Sequence, residues 1–141
     1  MSSTNSQERN TKARLLCVDD DPCFLALFSA VLETAGYSVV AANDPRQALA
    51  LSAKTVFDLV ILDYDMPDMN GAELARRLKQ NQCDLPIILF SGHPSLPADA
   101  FDVVDEHAVK AESLELLLQI LSARVCPLTH VTPRHGKSRV R

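Results

Sequence analysis

Long apolar runs are missing from this 141-residue chain. Its stretches of Leu, Ile and Val are short and broken by polar residues, so none approaches the roughly 20 residues that a membrane-spanning helix needs. The amino-terminal MSSTNSQERN has no apolar segment of the kind a secretory signal carries. Both absences lead us to expect a cytoplasmic protein with no membrane partner. The four cysteines, Cys17, Cys23, Cys83 and Cys126, include no CxxC pair, which argues against a zinc site or a disulfide framework. Cys17, inside an apolar run, reads as a small core residue. No internal repeat is visible. Gly136-Lys137-Ser138 looks like the end of a phosphate-binding loop, but that motif needs a glycine five positions before Gly136, where Val131 stands.

What is present is an ordinary globular balance, 47% hydrophobic and 23% charged residues. The length is that of one domain, and a chain of this size buries roughly 68–70% of its unfolded surface without staples. The net charge of −4 hides a split. Residues 1–14 carry a balance of +2 and residues 126–141 a balance of +4, whereas residues 15–125 hold 7 basic and 17 acidic side chains, a balance of −10. So acidic a body is a poor surface for nucleic acid, whose binding depends on neutralising phosphates, but it can gather carboxylates around a cation. The basic end, residues 126–141, reads as a solubilising tail, and residues 1–12 as a flexible one.

Five apolar runs alternate with helix-like segments. Leu15 to Val18 is the first strand, followed at once by Asp19-Asp20-Asp21. Asp21-Pro22 and Asp44-Pro45 each combine an N-cap with a proline at the first helical position. The first helix has an apolar stripe through Phe24, Leu27, Phe28, Val31 and Leu32, with Gly36 placed to end it. Strands follow at Tyr37 to Ala41, Leu59 to Leu62 and Pro86 to Phe90, with a weak one near Val103 to Val109. Helices run from Pro45 toward Lys54, from Gly71 to about Gln82, and through Leu114 to Val125. Pro94 and Pro97 bracket a loop before a short fourth helix. Continuous apolar strands alternating with amphipathic helices mean βαβ units, hence a parallel sheet with helices on both faces.

Ligands in such folds bind outside the carboxyl ends of the strands. Asp19 and Asp20, Asp63, Ser91 and Lys110 all fall at those ends. Three carboxylates packed together raise one another's pKa values unless a cation relieves them, and oxygen-only ligands suit Mg²⁺ better than zinc. A carboxylate beside a metal can act as a nucleophile on phosphorus. Ser91 offers a hydroxyl to a phosphoryl oxygen and Lys110 a point charge, which are the parts phosphoryl transfer needs. Asp21 is read as a cap only, and His93 as a loop residue near the mouth of the site.

The chain here resembles the receiver domain of two-component response regulators over residues 13–125. The resemblance rests on VDDDP (18–22), FDLVILDYDMPDMNG (57–71), PIILFSG (86–92) and VKAESLELL (109–117). It implies a flavodoxin-like, doubly wound five-stranded parallel sheet of order 2-1-3-4-5. It also implies that Asp63 is the phosphoacceptor. Asp20 would be a direct metal ligand, Asp19 its partner acting largely through water, and the backbone carbonyl of Asp65 would complete the shell for Mg²⁺ or Mn²⁺. Ser91 and Lys110 would contact the phosphoryl group, with Ser91 and the fifth-strand position His107 forming the switch. The donor would be a sensor histidine kinase or a phosphotransfer protein. The only catalysis would be phosphorylation and dephosphorylation of Asp63 itself. With 16 residues after the last helix, a DNA-binding domain is not expected. Output is expected to pass through an effector protein that the sequence does not name, and homodimerisation is left open.

Three features depart from the family's pattern. The usual Lys-Pro step is Lys110-Ala111, where a cis bond would cost about 2.5–4 kcal/mol. The switch aromatic is His107, which titrates near neutral pH. The segment from Ser91 to Lys110 is slightly short. Two other readings use the same residues. One is a pseudo-receiver that binds partners without phosphorylation. The other is a small haloacid-dehalogenase-type phosphohydrolase, against which the order of the motifs speaks, since the Asp-Asp pair comes first here rather than last.

Overall fold

A computed structural model describes residues 11–92, 95–110 and 114–129. Five parallel strands form the main sheet: β1 (Arg14–Val18), β2 (Ser38–Ala42), β3 (Leu59–Leu62), β4 (Ile87–Ser91) and β5 (Glu106–Val109), in the spatial order β2-β1-β3-β4-β5. This is the 2-1-3-4-5 order expected. The helices are α1 (Pro22–Thr34), α2 (Pro45–Lys54), α3 (Gly71–Asn81) and α4 (Leu114–Arg124).

The strands explain the continuous apolar runs, because successive side chains point to opposite faces and both faces are covered. Leu16, Val18, Val60, Leu62, Ile87 and Leu89 face one core with Ala48 of α2 and Leu74 and Leu78 of α3. Leu15, Cys17, Leu59, Ile61, Ile88 and Phe90 face the other, with Leu25, Phe28 and Leu32 of α1 and Leu117 and Leu121 of α4. Helix starts are set by side chains that satisfy otherwise orphaned amides. The Asp21 carboxylate accepts from the amides of Cys23 and Phe24 at 3.1 and 3.3 Å, Asp44 from Gln47 at 2.8 Å, and Asn70 from Glu73 at 2.9 Å. Gly36, at φ +106°, ends α1 in the left-handed conformation that glycine adopts without a Cβ penalty.

Two parts of the fold differ from expectation. The short fourth helix is a single 3-10 turn, Ala98–Asp102, in which only Ala100 is buried. Pro97 stands immediately before it, and the segment has little apolar surface to bury. β5 begins at Glu106 rather than near Val103, because Asp105 closes the strand's entrance. Its amide donates to the Ile87 carbonyl at 2.8 Å, and its carboxylate accepts from the Ile87 amide at 2.8 Å and from Lys79 Nζ at 3.2 Å. In addition, Thr11–Lys12 and Leu128–Thr129, assigned to the tails, pair as a two-residue antiparallel ladder, and the Ala13 amide donates to the Pro127 carbonyl at 2.6 Å. The expectations for His93, for the Lys110-Ala111 bond and for residues 130–141 lie outside the described residues. Among those described, no helix is long and apolar enough to cross a membrane.

Gly71, the first residue of α3, packs directly on the end of β3. A Cβ there would stand 2.5 Å from the Asp63 carbonyl oxygen and 2.9 Å from Leu89 Cδ1. Gly92 has nothing within 4 Å. Gly71→Ala is therefore expected to lower stability by about 1–3 kcal/mol through overpacking, whereas Gly92→Ala stays near neutral. Urea unfolding midpoints at constant slope report both.

Candidate functional site

Hydrogen bonds between strands assemble the site at the carboxyl edge of the sheet. The Asp63 amide, just past β3, donates to the Val18 carbonyl at 2.9 Å, and the Asp19 amide to the Ala42 carbonyl at 3.2 Å. Those contacts bring the ends of β1, β2 and β3 to one level. The Lys110 amide donates to the Ser91 carbonyl at 2.7 Å, which adds the ends of β4 and β5. The turn between Asp63 and α3 closes through the Gly71 amide on the Tyr64 carbonyl at 2.8 Å. Within it Asp68 takes a positive φ of 74°, a conformation that Asp tolerates better than most residues.

Asp19, Asp20 and Asp63 come together there, each offering a carboxylate oxygen within 4.8 Å of the others. Asp19 and Asp63 are buried and Asp20 is exposed. The Lys110 ammonium enters between the two buried carboxylates, 2.6 Å from Asp19 Oδ2 and 3.3 Å from Asp63 Oδ1. Asp19 Oδ1 also accepts from the Asp21 amide at 3.0 Å. Ser91 is fully buried at the end of β4, joined to Lys110 through the backbone. Asp65 lies exposed on the loop after Asp63. His107 is half-buried one pair of residues before Val109 on β5, opposite Leu89, with its ring edge-on to Phe101 at 5.5 Å. It faces the 3-10 turn rather than the carboxylates.

The arrangement has a definite electrostatic character. Burial, together with the neighbouring Asp19 and Asp20 carboxylates, pushes the Asp63 pKa from 3.8 up to about 6, although Lys110 works the other way. Burial alone would lower the Lys110 pKa. The hydrogen bond to Asp19 and the charges of Asp63 and Asp19 outweigh it, and the ammonium is held above its ordinary range. One cation thus faces three carboxylates, two of them largely out of water. An all-oxygen donor set with that charge deficit and one exposed member fits a hard divalent ion that retains waters, and the pocket already accepts one cationic group, the Lys110 ammonium.

One contact of a candidate site residue was missed by sequence reasoning. Phe24, read only as part of the apolar stripe of α1, places its ring 4.4 Å from Lys110 Nζ. Nothing in the local pattern of α1 signals that contact.

Comparison with known proteins agrees with this geometry. Residues 15–122 match the family model described as the response regulator receiver domain. Response regulator MprA of Mycolicibacterium vanbaalenii is 35% identical over 126 residues, which cover 87% of this chain and 53% of that protein. The chain spans only 14% of the plant two-component response regulator ARR12 of Arabidopsis thaliana, to which it is 43% identical over 82 residues. The curated relatives it matches are thus substantially longer. Among solved structures, response regulator TrrA of Thermotoga maritima, in complex with Mg²⁺-BeF, has a TM-score of 0.76 at 30% identity, covering 80% of this chain and 99% of that one. Chemotaxis response regulator CheY4 of Vibrio cholerae gives 0.74 at 32% identity, with 82% and 100% covered.

The raised Asp63 pKa has a stability consequence. An unfolded carboxyl ionises near 3.8 and the folded one near 6. Below the first value Asp63 imposes no penalty, and as pH rises through the second the folded state loses on the order of 3 kcal/mol relative to an unperturbed carboxyl. In metal-free protein, Asp63→Asn should therefore raise stability by roughly 1–3 kcal/mol at pH 7.5 and by nearly nothing at pH 4. Thermal or urea unfolding at the two pH values measures the difference.

Proposed function

Because the chain belongs to the response regulator receiver domain family, we propose that it is a phosphorylation-activated switch of a two-component or phosphorelay system, with Asp63 as its phosphoacceptor. The observation that carries this reading is the Asp63 carboxylate held 3.3 Å from the Lys110 ammonium beside Asp19 and Asp20. Burial has removed most of the water from that carboxylate, and the groups closest to it are charged.

In the proposed reaction an Asp63 carboxylate oxygen attacks the phosphorus of a phosphohistidine on a sensor histidine kinase or phosphotransfer protein. The P–O bond forms as the P–N bond breaks, and the imidazole leaves with the bonding electrons. Asp19, Asp20, Asp63 and the backbone carbonyl of Asp65 would hold Mg²⁺ or Mn²⁺, which when bound neutralises charge on the phosphoryl oxygens. Lys110 would supply a further positive charge, and its partner Asp63, 3.3 Å away, becomes the group being modified. The Ser91 hydroxyl donates to a phosphoryl oxygen once it turns toward the site. His107, on the neighbouring strand, reports that movement on the face lined by the 3-10 turn, β5 and α4. A water later hydrolyses the acyl phosphate, so the chain's only catalysis is on itself. A downstream effector protein reads the modified state, in the cytoplasm. The family match does not favour the phosphohydrolase reading of the same residues.

Incubation of the chain with acetyl phosphate and Mg²⁺ should add one phosphoryl group by intact mass. The adduct is expected to be lost on chelation of the metal before mixing, and absent from Asp63→Asn. An adduct that persists in Asp63→Asn overturns the assignment.

A further inference from the structure

Three of the chain's five phenylalanines meet on one side of the sheet directly beneath the site. Phe24 stacks on Phe28 with ring centroids 5.5 Å apart, Phe28 on Phe90 at 5.3 Å, and Phe24 lies 6.0 Å from Phe90. The Lys110 ammonium sits over the Phe24 ring, 4.4 Å from its centroid. That is well inside the roughly 6 Å at which a ring quadrupole attracts a cation. The Lys110 side chain is 23% exposed, so the contact is partly desolvated, the condition that strengthens it.

The placement follows from the backbone. Asp21, which caps α1, accepts from the Phe24 amide at 3.3 Å, fixing the first turn that carries the ring. Phe90 immediately precedes Ser91, whose carbonyl accepts from the Lys110 amide at 2.7 Å. The backbone and the ammonium of Lys110 are therefore both tied to elements of one aromatic cluster. A lysine carries about 2 kcal/mol of rotamer entropy, and two carboxylates restrain this one. Yet Asp19 and Asp63 are the same groups the proposed chemistry engages, so neither restraint is permanent. The ring contact depends on neither.

We propose that Phe24 is a positioning residue for Lys110: its ring holds the ammonium over the pocket independently of Asp19 and Asp63, and thereby sets the rate at which Asp63 takes a phosphoryl group. The second half rests on the phosphoacceptor reading, whereas the first does not.

The test compares the full chain with Phe24→Leu, Phe24→Tyr and a variant bearing pentafluorophenylalanine at position 24, which keeps the ring but reverses its quadrupole. The first readout is the NMR shift of the Lys110 ε-methylene protons in metal-free protein. A ring current should displace them upfield in the parent and in Phe24→Tyr, and the displacement should vanish in Phe24→Leu. The second is the rate of phosphorylation by acetyl phosphate with Mg²⁺. We expect it to fall about 3- to 10-fold in Phe24→Leu and in the fluorinated variant, and to stay within about twofold in Phe24→Tyr. Equal Lys110 shifts in the parent and Phe24→Leu overturn the positioning role. A lost shift with an unchanged rate, or a fluorinated variant as fast as the parent, overturns its control of transfer. If the parent takes up no phosphoryl group, the phosphoacceptor reading and the rate claim fall together, and the proton shift alone decides whether Phe24 holds Lys110.

Discussion

Everything at the functional edge of this molecule depends on one unequal charge balance, a single ammonium shared between two buried carboxylates. Lys110 lies 2.6 Å from Asp19 and 3.3 Å from Asp63, with Asp20 close by in solvent. Taking carboxylates out of water is expensive, and one lysine cannot neutralise three of them. The pocket is consequently short of positive charge in its resting form. That shortage favours a divalent cation, which in the proposed reaction has to be present before an anionic phosphoryl donor can approach. The unfavourable electrostatics is a cost that the rest of the fold has to withstand.

The fold does so by placing the strain where the scaffold is stiffest. β1 and β3 are buried on both faces, and their carboxyl ends are joined by the Asp63 amide on the Val18 carbonyl. Gly71 then lets α3 begin in direct contact with the Asp63 backbone, where any side chain would collide. Asp63 is thus fixed from behind by a strand and from the side by a helix start. A carboxylate on a pliable loop would move away from its like-charged neighbours, but here the backbone leaves it little freedom to do so.

The parts of this arrangement that were legible from the residues are those governed by local pattern. Apolar runs read as buried strands, Asp-Pro pairs read as helix starts, and the strand ends predicted which side chains would converge. Asp19, Asp20, Asp63 and Lys110 do come together. What periodicity could not supply is contact across faces. Phe24 and Phe90 are both apolar residues at core spacing, and nothing in either segment says that one of them will support an ammonium 86 residues away along the chain. The 3-10 turn was hard to read for a different reason. Proline and a short connection limit helix length, but the outcome is settled by how little apolar surface the segment has to bury. Likewise the ladder of Thr11–Lys12 with Leu128–Thr129 joins two segments of no strand-like pattern, and it exists because the fold brings them side by side.

These differences leave one face of the sheet unequally secured, tightly under α3 and lightly under the 3-10 turn. α3 buries Gly71, Ala72, Leu74, Ala75 and Leu78 against its core. The 3-10 turn buries Ala100, with Leu96, Val103 and Val104 half-buried around it. Its ion pair to the body, Arg76 to Asp99 at 3.6 Å, is largely exposed and contributes about 0–1 kcal/mol. Phe101 remains 45% exposed even while it meets His107. Regions held by so few buried apolar contacts open at low free-energy cost. The rigid half of the molecule therefore carries Asp63, while the lightly held half adjoins Ser91 and His107. A perturbation at the site meets least resistance at the 3-10 turn beside β5, where the buried apolar contacts are sparsest.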